Sequence, residues 1–88
     1  MTVSFVHHRV ADYDAWRRVY DSVGDMQREG GVSEEAVYQA EGDPNSVLVM
    51  HQFGSSEQAH AFFERADLRD AMGQAGVDVS SLRIEFYD

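Results

Sequence analysis

The 88-residue chain has no cysteine, no lysine and only one proline. Without cysteine there is no disulfide, no thiolate metal site and no cysteine nucleophile, and a domain this short then rests on packing alone. All seven basic residues are arginine, set against sixteen acidic ones, for a net charge of −9. That much negative charge repels phosphate backbones and argues against a nucleic-acid partner. No apolar run approaches the roughly 18–20 residues of a membrane span. Nor does Met1-Thr2-Val3-Ser4-Phe5 place a basic region ahead of an apolar one, as a secretion signal would. The expectation is a cytoplasmic protein without membrane contact. The acidic, lysine-free composition points to a high-GC genome or a salt-adapted host, which concerns the host and not the chemistry.

What is present reads as one domain over residues 1–88. Val3 to Val10 is rich in β-branched and aromatic residues, the mark of a strand. Asp12 fits a helix N-cap with Asp14 in the first turn, and Trp16, Val19, Tyr20, Val23 and Met26 then recur at helical steps. That pattern predicts one helix ending at Gly30-Gly31. Ala36 to Ala40 reads as a second strand, Gly42-Asp43-Pro44-Asn45 as a turn, and Ser46 to Phe53 as a third strand paired with the second. Ser55 and Gln58 have capping-box spacing ahead of Ala59, Phe62, Phe63 and Ala66. Asp67 is expected to recap a short helix closing at Gly73 or Gly76, and Ser81 to Tyr87 alternates as a last strand. The order is β-α-β-β-α-β, an α+β ferredoxin-like fold with a four-stranded antiparallel sheet.

A second copy of the chain follows from burial. Val47-Leu48-Val49-Met50 is apolar on both faces of a strand, and the first strand offers Val3 and Phe5 to one side and Val6 and Val10 to the other. Helices cover one face of such a sheet. The other face exposes an apolar patch of the kind that marks an interface, so a homodimer packed sheet to sheet is expected. The alternative is a monomer with an open, moderately apolar face.

Histidine and tyrosine are the acid–base groups that remain. His51 shares its strand face with Val47, Val49 and Phe53. His7 and His8 point to opposite faces; His8 is assigned to the helix side with Val6 and Val10, and a one-residue slip of the strand would put His7 there instead. His51 and His8 are the candidate catalytic pair; each is also open to the plainer reading of a hydrogen-bonded core histidine. Trp16, Tyr20, Phe53, Phe62 and Phe63 either line a substrate pocket or simply fill the core. Tyr38, Tyr87 and Arg83 could add hydroxyls and an anion-binding group. The four histidines show no i, i+4 pair and do not converge, so no metal site is expected.

The junction His7-His8-Arg9-Val10-Ala11-Asp12-Tyr13-Asp14-Ala15-Trp16 resembles the dimeric α/β-barrel superfamily, in its antibiotic-biosynthesis-monooxygenase-like and cyclase-like branch. Asp43-Pro44-Asn45, the strand ending at Phe53, Ala59-His60-Ala61-Phe62 and Leu68-Arg69-Asp70-Ala71-Met72 continue the likeness over nearly the whole chain. The resemblance implies a ligand held between sheet and helices, with the outer sheet faces forming a shared barrel. Many quinone-forming and haem-degrading relatives carry Trp where this strand ends in Phe53, and a haem-ligand His where this chain offers Phe62 or Phe63. The leading expectation is a cofactor-free, cyclase- or isomerase-type enzyme or ligand-handling protein for an aromatic or polyketide-like small molecule. His51 would be the base, and His8 or a tyrosine would steady the oxyanion. A cofactor-independent monooxygenase of quinone-forming type is the first alternative, and a non-catalytic dimeric binding module the second.

Overall fold

Asp12 starts the first helix as its sequence context predicts. In a computed structural model describing all 88 residues, its carboxylate accepts the Ala15 N–H at 3.0 Å. The elements run β1 (Thr2–Val10), α1 (Tyr13–Ser22), α2 (Gly24–Glu29), β2 (Val32–Ala40), β3 (Asp43–Phe53), α3 (Ser56–Phe63), α4 (Ala66–Gln74) and β4 (Val77–Tyr87). The strands form one antiparallel sheet in the order β2-β3-β1-β4, with the hairpin on one side and β4 added beside β1. This is the expected ferredoxin-like arrangement.

Alternation along β1 and β3 decides where the core sits. Thr2, Ser4, Val6, His8 and Val10 are buried, as are Val47, Val49, His51 and Phe53. Trp16 of α1, Ala59 and Phe62 of α3 and Ala75 after α4 close over them in two adjoining clusters. On the opposite face Val3, Phe5, Leu48 and Met50 are only half-buried, and Tyr38 and Tyr87 are exposed.

Five boundaries depart from the sequence reading. The single helix expected up to Gly30 is two, because the backbone leaves helical geometry at Val23 (ψ 20°) ahead of Gly24, a weak helix former. The break turns Gln27 inward, where it is buried. The hairpin tip is Glu41-Gly42, not Gly42 to Asn45; Gly42 takes the left-handed φ of +74° that glycine tolerates, and Pro44 lies inside β3 before pairing with β1 begins. With that register β2 starts at Val32 rather than Ala36, as an edge strand whose Ser33 and Glu34 face solvent. β4 likewise starts at Val77 rather than Ser81. Its pairing with β1 shifts register between His7 and Arg9, and Ser81 Oγ accepts the Arg9 N–H at 2.8 Å there. Ser55 does cap α3, accepting the Gln58 N–H at 3.2 Å. Asp67 is not the cap of α4: that position is Arg65, and Asp67 sits in the first turn, bonded to Arg65.

Candidate functional site

Between the sheet and the helices lies a cavity of about 70 Å³. Val6, His8, Val49 and His51 form its floor, Trp16, Tyr20 and Gln27 one wall, Phe62 and Phe63 another, and Leu68, Ala71 and Met72 of α4 the roof. No side chain of α4 is itself fully buried, so the roof is the least firmly packed part of the enclosure.

His51 is 4 % exposed and framed by aromatic rings. Phe62 and Phe53 meet it edge-on, with centroids at 5.6 and 6.2 Å, and Phe63 lies parallel at 6.4 Å. Its Nε2 lies 3.1 Å from the Tyr20 hydroxyl, which in turn donates to Glu35 Oε1 at 2.6 Å. Its Nδ1 is buried without a partner. Burial holds His51 down to about 4, with the Glu35 charge pulling weakly the other way, so the ring is neutral at pH 7. Burial and then the Glu35 carboxylate push Tyr20 well above the ordinary tyrosine range, and it stays a phenol.

His8 lines the same cavity, is also buried, and also has an unpartnered Nδ1. Burial lowers it as well. Its ring lies 5.5 Å from Trp16, which stacks on Tyr20 at 5.0 Å. Since Ser4, not His8, sits opposite His51, the two histidines are offset by four residues, about 13 Å along the strands. They mark two ends of one cavity and do not form a dyad.

Of the five aromatics singled out as substrate contacts, Trp16, Tyr20, Phe62 and Phe63 line the cavity. Phe53 does not; it is packed beneath α3 against Ala59 and Phe62, with 1 % exposure. Tyr38, Tyr87 and Arg83 lie on the other sheet face. His7 is there too, 3.2 Å from Glu85, and His60 packs on Phe86 away from the cavity. No three His, Asp or Glu side chains converge into a metal-binding group. Sequence reasoning missed Glu35 and Gln27. Glu35 stands directly opposite His51 in the β2–β3 register, a pairing reached only through the register shift between Gln39 and Ala40.

No family model matches the chain, and no curated protein does. Solved structures do. The chain has the fold of the antibiotic biosynthesis monooxygenase-like proteins. A protein described as an antibiotic biosynthesis monooxygenase from Nitrosomonas europaea superposes with a TM-score of 0.76 at 17 % identity, over 100 % of this chain and 97 % of that one. A protein of the same description from Bordetella bronchiseptica gives 0.80 at 7 % identity, over 99 % and 95 %. SnoaB, a cofactor-independent oxygenase from Streptomyces nogalater, gives 0.78 at 9 % identity, over 99 % and 91 %. At such identities the likeness is one of fold, and the site has to be read from its own residues.

Proposed function

We propose that this protein is a cofactor-independent oxygenase in which His51 removes the proton of a small hydroxyaromatic substrate. The observation that carries the reading is the unpartnered Nδ1 of a neutral, buried histidine on the floor of an almost wholly apolar cavity. An orphaned acceptor of this kind costs about 1–3 kcal/mol, which a ligand hydroxyl recovers by donating to it. A phenol meets the other demands of the site. Its ring packs among Trp16, Phe62 and Phe63, and its hydroxyl gives His51 the proton that makes the ring an electron-rich phenolate. The phenolate then reacts at a ring carbon with O₂. One oxygen atom becomes the second carbonyl of a quinone; the other leaves as water with the hydroxyl and ring hydrogens, so no external reductant enters. The fold shared with a cofactor-independent oxygenase supports oxygen chemistry over ring closure.

The cavity also limits size. Apolar pockets that hold drug-sized ligands run to about 300–1,000 Å³. With about 70 Å³ available, a single ring fits only if the α4 roof yields, and a multi-ring polyketide would need the helices displaced. His8 meets the far end of the ligand. A second copy of the chain covers the open sheet face, where Phe5, Leu48, Met50 and Tyr38 lie.

Oxygen uptake with mono- and dihydroxylated single-ring and naphthalene phenols tests the reading. The expected result is uptake of one O₂ per quinone formed, faster for single rings and about 10²- to 10⁴-fold slower in His51→Ala. Isomerised product without oxygen uptake would move the protein to cyclase-type chemistry, and tight binding without turnover would make it a binding module.

A further inference from the structure

His51 has one charged neighbour. Tyr20 reaches it from α1, Phe62 and Phe63 from α3, Ser4 from β1 and Glu35 from β2, and of these only Glu35 carries a charge at neutral pH. Hydrogen-bond arithmetic then fixes the direction of the chain of contacts. An ionised carboxylate only accepts, so the single Tyr20 O–H goes to Glu35, at a distance typical of a charge-assisted bond (2.6 Å). The tyrosine oxygen is left with acceptor capacity alone toward His51 Nε2. Nε2 therefore carries the hydrogen, and in a neutral imidazole that leaves Nδ1 bare.

We propose that Glu35, acting through Tyr20, is a positioning residue that holds His51 in the tautomer whose Nδ1 accepts the substrate proton and offsets the imidazolium charge that follows. The inference rests on the base role of His51 and adds a solvent-exposed carboxylate that touches no substrate. When Nδ1 takes the proton, both ring nitrogens carry hydrogen. The Nε2–H keeps donating to the Tyr20 oxygen, the Tyr20 hydroxyl keeps donating to Glu35, and the new positive charge faces the carboxylate along two hydrogen bonds. When the departing oxygen is protonated, the proton returns from Nδ1 and the ring is neutral again. The logic is that of a catalytic triad with a tyrosine set between acid and imidazole.

The test needs no substrate. Nitrogen-15 NMR of the histidine rings reports which nitrogen is protonated and at what pH each ring titrates. In the unaltered protein His51 should show a protonated Nε2 and a bare Nδ1. In Glu35→Ala the Tyr20 hydroxyl loses its acceptor and turns to donate to Nε2, so the ring switches to the Nδ1–H tautomer and its titration midpoint falls. Tyr20→Phe removes the bridge and leaves a mixture of tautomers, while Glu35→Asp keeps the original one. An Nδ1–H ring in the unaltered protein, or a His51 signal unmoved by Glu35→Ala, overturns the proposal. Glu35 is an exposed edge-strand residue, so its removal leaves the fold intact, and unfolding midpoints confirm that. On a phenol that is turned over, Glu35→Ala should cut kcat by about 10- to 100-fold with KM unchanged, the usual scale for a group that orients another. If His51→Ala abolishes turnover while Glu35→Ala moves neither tautomer nor kcat, the base stands and this inference falls.

Discussion

The two ends of the cavity hold the same side chain in nearly the same state. His51 and His8 are both buried, both lowered by burial, and both leave Nδ1 without a partner. What separates them is the company of the other nitrogen. His51 is tied through Tyr20 to a carboxylate, whereas His8 has the Trp16 ring and the Val6 backbone beside it and no carboxylate. Desolvation alone makes a neutral imidazole, but an imidazole that must turn into an imidazolium during turnover also needs a counter-charge. Under the proposed function the cavity has an acid–base end and a binding end, and the difference is made by an edge strand rather than by either histidine.

The largest expected effect tests that division directly. His51→Ala removes the proton acceptor and should lower kcat by about 10²- to 10⁴-fold, the range for general-base catalysis. His8→Ala should cost about tenfold or less, and mostly in KM, if it only meets the far end of the ligand. Steady-state kinetics on one phenol decides this, and equal losses in kcat would erase the distinction.

Next in size is a pH effect on stability. Unfolded His51 titrates near 6.5 and the folded ring near 4. Between those values the unfolded chain binds a proton that the folded chain refuses, so stability is complete above about pH 6.5 and falls as the pH drops toward 4. The gap corresponds to about 3 kcal/mol, to which His8 adds in the same direction. His51→Phe should flatten most of this slope and hold or raise stability at pH 7.5, since it removes an orphaned acceptor from among three phenylalanines. His8→Phe should flatten less. Urea midpoints at pH 7.5 and 4.5 measure both. A slope that survives in His51→Phe would place the titrating group elsewhere.

Much of this was legible in the sequence, for reasons that also explain what was not. Strand alternation grouped His51 with Val47, Val49 and Phe53, and His8 with Val6 and Val10, but both strands are apolar on two faces, so it was the family likeness that put Phe53 and His51 under the helices. Helical spacing likewise brought Trp16 and Tyr20 to the same wall. Glu35 was out of reach because edge strands need not alternate, and because a register shift between Gln39 and Ala40 breaks the pairing that the hairpin tip alone would set. Gly30 shows a subtler limit. The pair Gly30-Gly31 does end the helix, with Gly31 at a φ of +97°, yet Gly30 itself has an ordinary −78° and is needed because a Cβ there would collide with the Phe62 ring. Close packing between distant segments leaves no mark in the local pattern, and a cavity is the remainder of such packing.

The smallest effect is expected at the third histidine, and it sharpens the comparison because His7 is the sequence neighbour of His8. One residue of strand phase sends its ring to the open face, where it is 40 % exposed, 3.2 Å from a Glu85 carboxylate that also sits 3.7 Å from Arg83. Within one chain an exposed pair of this kind contributes about 0–1 kcal/mol, and the proposed second copy covers this face. His7→Ala should therefore leave kcat and KM for the phenol unchanged and act on stability only through the contact between copies. If His7→Ala instead lowered turnover as far as His8→Ala, the sheet would not be separating the two rings. The catalytic contrast would then have to run between the ends of β1 rather than between its faces.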